Sequence, residues 1–176
     1  GRKGSVYGKA ALQKDLTIGE DESLTIPQEA SLTIPGKDIQ LTNRGTVNIK
    51  GTLSNVSAFF NHGTVTMDGT IENHHFIDNR GTFEGSGTIN NDESNGYVFN
   101  YGTVADTIQV VGPAIEHFVT DVEISPSFLT MTVGDTADLT AMLTPTNADY
   151  SSINWGSSNE TAATVTTDPS DGTKAT

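Results

Sequence analysis

The chain has 176 residues, with 22 acidic side chains against 9 basic ones and a formal net charge of −13. This charge repels phosphate backbones and anionic lipid surfaces, so it argues against nucleic-acid and membrane-surface partners. Cysteine is absent, which excludes disulfides and thiolate metal sites. No stretch approaches the roughly 20 consecutive apolar residues of a membrane-spanning helix, and helix-favouring runs are missing. We therefore predict an all-β chain without membrane insertion.

The first 40 residues carry a short motif at a step of eight. Leu-Thr-Ile recurs from residues 16, 24 and 32, and its Leu and Ile flank Thr, so they share one face of a strand. Pro27 and Pro35 end these strands, because proline lacks the N–H that a strand ladder requires. Residues 1–15 are predicted to form an N-terminal cap that covers the open edge of the strands that follow.

From residue 41 the apolar positions recur at every sixth residue within an 18-residue repeat. Neither the three- and four-residue spacing of helices nor the alternation of hairpins produces this step. A coil of three short strands does, so we predict a single-stranded parallel β-helix over 16–112, in which residues 18 apart stack at the strand spacing. The predicted inward columns are Val47/Val65/Phe83, Leu53/Ile71/Ile89 and Phe59/Ile77/Val98.

Asparagines follow the same 18-residue period in two files. Asparagine suits turns, and its amide both donates and accepts hydrogen bonds, so we interpret the files as structural ladders at the corners of the coil. A polar row that contacts a glycan is the alternative interpretation. The ladder residues are Asn43, Asn61, Asn79 and Asn100 in one file, and Asn55, Asn73 and Asn91 in the other.

A third file stands between the asparagines and the Gly-Thr pairs, and we call it the corner file. Its members are Arg44, His62, Arg80 and Tyr101. A basic and aromatic row on an acidic protein is our candidate ligand-binding site, for an acidic or neutral glycan that stacks on Tyr101. The alternative is a solvated corner whose arginine stems cover apolar surface.

The sequence offers no catalytic or metal-binding constellation. His74 and His75 are adjacent, so on a strand they face opposite ways. No pair among the four histidines has the spacing of a zinc site. The outward files of the repeat that we compared never place two carboxylates on neighbouring coils, which argues against a catalytic dyad. We therefore predict no catalytic residue, no metal, no cofactor and no enzymatic activity.

After Gly112-Pro113 the pattern changes to short alternating strands separated by turns, which is typical of a β-sandwich. We predict a linker over 113–118 and a second domain over 119–176. The alternating apolar positions include Val122 with Ile124, then the segments 129–133, 139–143 and 153–155.

Both halves resemble families of bacterial surface proteins. Leu-Thr-Ile-Pro units that run into Asn-x-Gly-Thr units resemble the β-helical repeats of filamentous adhesins and autotransporter passengers, over about 16–111. This resemblance implies a right-handed coil, although a six-residue step also suits left-handed helices. The second half resembles the bacterial immunoglobulin-like domain of group 2, through the segments "ISPSFLTMTVGDTADLTAMLTPTNA" and "INWGSSNETAATV". This resemblance implies that Trp155 anchors the core.

Members of that immunoglobulin-like family continue with Gly-rich strands beyond the point that matches "DGTKAT", so we expect the domain to be incomplete at its C-terminus. An exposed strand edge would then favour pairing between chains. Together the resemblances imply an extracellular or cell-surface adhesin or stalk component of a bacterium, with contacts to a glycan or a host surface protein. The alternative is a carbohydrate-active protein whose β-helix binds or cleaves polysaccharide.

Overall fold

The computed structural model describes residues 1–36 and 38–176, and its regular elements over these residues are all β-strands. The described residues include no helix long and apolar enough to cross a membrane. The chain divides into two compact units, Gly1–His117 and Phe118–Thr176.

The first unit contains eighteen short strands. They are β1 (Lys3–Ser5), β2 (Lys9–Ala11), β3 (Leu16–Ile18), β4 (Ser23–Ile26), β5 (Ser31–Ile34), β6 (Gln40–Asn43), β7 (Thr46–Ile49), β8 (Thr52–Asn55), β9 (Ala58–Asn61), β10 (Thr64–Met67), β11 (Thr70–Asn73), β12 (Phe76–Asn79), β13 (Thr82–Gly85), β14 (Thr88–Asn91), β15 (Tyr97–Asn100), β16 (Thr103–Val104), β17 (Gln109–Val111) and β18 (Glu116–His117).

Every third strand pairs in parallel, so three strands make one coil and six coils stack. Sheet A has the order β1-β4-β7-β10-β13-β16, sheet B runs from β2 to β17 and sheet C from β3 to β18 in the same way. The predicted fold, a parallel β-helix, is confirmed. The three Leu-Thr-Ile motifs lie on β3, β4 and β5, one in each sheet.

Residues 18 apart stand opposite one another in neighbouring coils. Val65 pairs in register with Val47 on one side and with Phe83 on the other. The column of Leu53, Ile71 and Ile89 and the column of Phe59, Ile77 and Val98 are aligned in the same way. Each of these side chains is at most 1% exposed. Burial of an aliphatic side chain contributes about 1.5–3 kcal/mol, so the columns are the main driving force for stacking.

Most strands of the solenoid point two side chains inward rather than one. In sheet A the second inward residue is apolar, as at Ile49 and Met67. In sheets B and C it is an asparagine from β6 to β15, whereas the earlier strands β3 and β5 have Ile18 and Ile34 there. The sequence pattern located the first inward position, and the structure adds the second. The interior is therefore apolar along sheet A and has a polar file beside each of the other two sheets.

Glycine stands two residues before many inward apolar positions because neighbouring coils touch there. A Cβ added to Gly63 would lie 2.2 Å from the carbonyl oxygen of Gly45 in the preceding coil. Backbone atoms of the preceding coil fill this space and cannot move aside, so a side chain does not fit at Gly63. At the equivalent corner into sheet C, His75 is tolerated, and its side chain is exposed.

The ends of the solenoid differ from the predicted boundaries. Residues 1–15 contribute β1 and β2, which pair with β4 and β5, so this segment is built into the sheets as the first coil. The predicted linker 113–118 contains β18, which pairs with β15. Backbone pairing, which carries no sequence signature in these segments, places residues 1–15 and the linker as far as His117 in the first unit.

The second unit has one three-stranded antiparallel sheet, in the order β19 (Asp121–Ser125), β20 (Leu139–Thr144) and β21 (Lys174–Ala175). Its buried apolar residues are small: Ala141, Ala148 and Ala175. We predicted strands at 129–133 and 153–155, but the structure has none there. Neither segment pairs with a strand among the described residues. Trp155 is partly exposed rather than a buried anchor, and its indole N–H donates to the carbonyl of Gly172 at 2.9 Å.

The carboxylate of Asp171 in the second unit accepts three hydrogen bonds from neighbouring residues. Hydrogen bonds from the Thr173 hydroxyl, the Lys174 ammonium and the Thr173 N–H lower the pKa of Asp171 to about 2. A carboxyl group whose pKa is lowered on folding stabilises the fold above its unfolded pKa, near 4, and this contribution is lost as the pH falls through the folded value.

We therefore expect Asp171→Asn to be less stable than the wild type at pH 5, with the difference shrinking towards pH 2. Thermal unfolding of both proteins across this range measures it. Asp106→Asn, at an exposed aspartate of the solenoid, is the control. Unfolding curves of Asp171→Asn that stay equally far from the wild type at all pH values would contradict the assignment.

Candidate ligand-contact surface on the solenoid

The two asparagine files lie inside the coil. Their side chains are buried, and each amide except the last of its file donates to the side-chain oxygen of the asparagine in the next coil. The Nδ2–Oδ1 distances are 2.8, 2.7 and 2.6 Å along Asn43, Asn61, Asn79 and Asn100, and 2.8 and 2.9 Å along Asn55, Asn73 and Asn91. Amides that bond to one another in the interior are not accessible to a ligand. A ligand can contact only the outward side chains of the solenoid.

The ladders end on different groups. Asn91 donates to the carbonyl of Pro113 at 2.7 Å, and Asn100 lies 3.0 Å from Nδ1 of His117. An amide nitrogen only donates, so this ring nitrogen accepts. At the other end, Oδ1 of Asn55 has no hydrogen-bond partner among the described residues, because the strand beneath it places Ile34 in register.

The corner file is aligned by the backbone at the corner that leads out of sheet C. The N–H groups of His62, Arg80 and Tyr101 each donate to the asparagine carbonyl of the preceding coil, at 2.7–2.8 Å. The side chains of Arg44, His62 and Arg80 are exposed, and Tyr101 is half-buried. The structure thus brings all four residues into one row at the edge of sheet C.

Arg80 is the best-defined member of this row. Its Nε and Nη2 donate to the two oxygens of Asp78 at 2.9 and 3.3 Å, and its guanidinium carbon lies 4.6 Å from the ring centre of Tyr101. These bonds to Asp78 raise the pKa of the Arg80 guanidinium. The Asp78 side chain is 11% exposed and that of Arg80 is 53% exposed. The pair is therefore a fixed, electrically balanced polar group that solvent reaches from the arginine side.

Next to this pair, four aromatic rings cover the outside of sheet C. Phe60, Phe76 and Phe99 are half-buried, and Tyr97 is 47% exposed. Their ring centres lie 5.9 Å apart for Phe60 and Phe76, 5.4 Å for Phe76 and Phe99, and 6.4 Å for Tyr97 and Phe99. These mostly edge-to-face contacts join three neighbouring coils. We call Phe60, Phe76, Asp78, Arg80, Tyr97 and Phe99 together the outer C face.

The predictions from the sequence covered the inward columns and the corner file and missed these rings. A signal was available, because the residues on either side of an inward position on a strand face outward. Phe60 follows Phe59, Phe76 precedes Ile77, and Tyr97 and Phe99 flank Val98. The chain has only twelve aromatic residues, so four rings on three neighbouring strands of sheet C are a marked concentration.

The carboxylates on the outer faces of sheets A and B do not face one another. Glu84 accepts from the Thr66 hydroxyl, and Glu72 accepts from the Asn90 amide, so each carboxylate faces a neutral neighbour. Asp92 lies at the corner where the chain enters sheet C, and its Oδ2 is 3.8 Å from Nδ1 of His74. The corner file lies at the opposite corner, where the chain leaves sheet C. A four-residue strand, about 13 Å, separates the two corners. Within 1–36 and 38–176, no group of three or more His, Asp or Glu side chains could hold a metal ion.

Comparison with known proteins identifies the second unit. Residues 118–174 match the family model of the bacterial Ig-like domain (group 2). The second unit is a group 2 bacterial Ig-like domain. Domains of this type are typical of bacterial surface proteins. Searches of curated proteins and of solved structures found no match to the chain.

The Ig-like domain carries an open cavity of about 730 Å³ between segments 129–139 and 160–166. Aliphatic side chains and threonines dominate its lining, among them Leu129, Met131 and Val165. The residues that line this cavity include no aromatic ring, in contrast to the outer C face.

Proposed function

We propose that the chain is a non-enzymatic stalk and adhesive segment of a bacterial surface or extracellular protein. In this proposal the solenoid is a rigid shaft, the Ig-like domain is a link of the stalk, and contact with a glycan or a host surface protein is made by outward strand surfaces. The observation that carries the proposal is the construction of the solenoid. Its interior asparagines bond from coil to coil, whereas aromatic and basic side chains lie on an open outer face.

The construction of the interior supports the role of a shaft. Each coil contacts only its neighbours, so stiffness depends on the strength of every interface between coils. Backbone ladders on three sides, apolar columns and two asparagine ladders cross each interface in the repeat region. Six coils at about 4.8 Å give a shaft of roughly 25–30 Å.

The open form of the contact surface supports binding without turnover. The corners of the repeat are short, so few long loops are available to form the walls of a cleft. On the outer faces of sheets A and B, Glu84 and Glu72 each stand opposite a neutral residue of the neighbouring coil. The match to a domain type of bacterial surface proteins supports the proposed location.

The proposal predicts binding of a glycan or a host extracellular protein without release of new reducing ends. The 176-residue chain is applied to a glycan array and to immobilised host matrix proteins, and each bound polysaccharide is then incubated with it in a reducing-sugar assay. Release of reducing ends would contradict the proposal. Failure to bind in both formats would also contradict the adhesive role.

A further inference from the structure

We propose that the outer C face binds a neutral polysaccharide, whose sugar rings stack on Tyr97 and the neighbouring phenylalanines while their hydroxyls bond to the Asp78–Arg80 pair. This inference rests on the proposed function and deepens it by naming the ligand class and the surface.

The chemistry of the face combines the two groups that a sugar ring requires. The C–H face of a pyranose is weakly positive and apolar, and it is attracted to the negative face of an aromatic ring. Its hydroxyls need both donors and acceptors. A guanidinium has five N–H donors, and two of those on Arg80 bond to Asp78, so donors remain for ligand hydroxyls. The carboxylate of Asp78 supplies acceptor lone pairs beside them.

The charges on and around the face select a neutral ligand. Asp78 and Arg80 balance each other, so the face itself attracts neither sign strongly. The chain as a whole carries a formal net charge of −13 and repels polyanions at long range. Acidic glycans, which were included in the sequence-based prediction for the corner file, are therefore disfavoured.

The size of the face favours a glycan chain over a protein partner. Three strands at about 4.8 Å and two outward positions per strand make a patch of roughly 150 Å². A stable protein interface buries about 800 Å² on each partner. The outward residues around the rings are small or polar, such as Gln40, Thr42 and Ala58, so the aromatic patch does not continue. A few sugar rings fit such a patch, whereas a folded protein would cover much more.

The test measures binding of the full chain to xyloglucan, galactomannan and dextran as neutral probes and to polygalacturonate as an anionic probe, by affinity electrophoresis and calorimetry. We expect at least one neutral polysaccharide to bind, with little change between about 0.05 and 0.5 M salt because no net charge is neutralised. Tyr97→Ala removes the most exposed ring of the face and should weaken binding about tenfold. Tyr7→Ala, at a tyrosine that is 87% exposed in the first coil, should leave binding unchanged.

A second variant tests the ion pair without removing its charge. Arg80→Lys replaces the two-pronged guanidinium by a single ammonium group, so it should weaken binding several-fold while circular dichroism remains that of the wild type. Absence of binding to every neutral probe, preference for polygalacturonate, or unchanged binding by Tyr97→Ala would overturn the inference. The inference would also be overturned if Tyr97→Ala abolished self-association or the binding of a protein rather than the binding of a polysaccharide. Glycan binding that survives Tyr97→Ala would contradict this inference alone and leave the proposed adhesive function standing.

Discussion

Asn61→Asp should lower the free energy of unfolding of the solenoid by about 3–5 kcal/mol. The Asn61 side chain is fully buried, and its Nδ2 donates to Oδ1 of Asn79 at 2.7 Å and to the carbonyls of Gly63 and Thr82. A carboxylate has the same shape but no donor, so oxygen would face oxygen at each of these contacts. It would also place an unpaired charge in the interior of an acidic protein, where desolvation is costly.

Asn48→Asp provides the matched control, because it makes the same chemical change on the outward side of β7, where Asn48 is half-exposed. Denaturant unfolding followed by circular dichroism gives the stability, and amide exchange shows which coils open. The control should change stability by less than about 0.5 kcal/mol. Equal effects of the two substitutions would show that the ladder does not stabilise the solenoid.

Phe83→Ala should destabilise the solenoid by about 3–5 kcal/mol, because it removes a buried ring and leaves a cavity. Phe83 has no exposed surface, stands in register with Val65, and packs edge to face against Phe59 with ring centres 6.1 Å apart. It therefore connects the column of sheet A to that of sheet C across the interior. Neighbouring coils are held by their backbones and can collapse only partly into the space.

Phe128→Ala is the control for this substitution, since that ring is 80% exposed in the Ig-like domain. We expect it to change stability by less than about 0.5 kcal/mol. The two variants are compared in guanidinium unfolding, with amide exchange of β10 and β13 as the local measurement. A loss below about 1 kcal/mol for Phe83→Ala would mean that the inward columns contribute little to stacking.

The interior and the outer C face are linked through the same strands. Asp78 and Arg80 lie on either side of Asn79, which is fully buried and bonded to Asn61 and Asn100. Because side chains alternate along a strand, fixing Asn79 inward directs its two neighbours outward. A break in the ladder is therefore expected to disturb the ion pair as well as stability.

The repeat and its register could be predicted from the order of residues alone. A six-residue step within an 18-residue period has few physical solutions, so it predicted that Val47, Val65 and Phe83 would stack, and the structure confirms this alignment. The motifs of the second half likewise identified the Ig-like domain, which the family match confirms. The handedness of the coil stays a prediction.

The ends of the solenoid and the grouping of its outward side chains depend instead on contacts between coils. Residues 1–15 join the sheets through the pairing of β1 and β2 and through Val6 and Leu12, which pack on the core, and none of these contacts leaves a periodic mark in the sequence. The outer C face depends on an insertion: 21 residues rather than 18 separate Phe76 from Tyr97, yet the two stand in register. A repeat fixes which residues face inward, because burial restricts them. Outward side chains are free of that restriction, so their grouping depends on corner lengths and on packing across three coils.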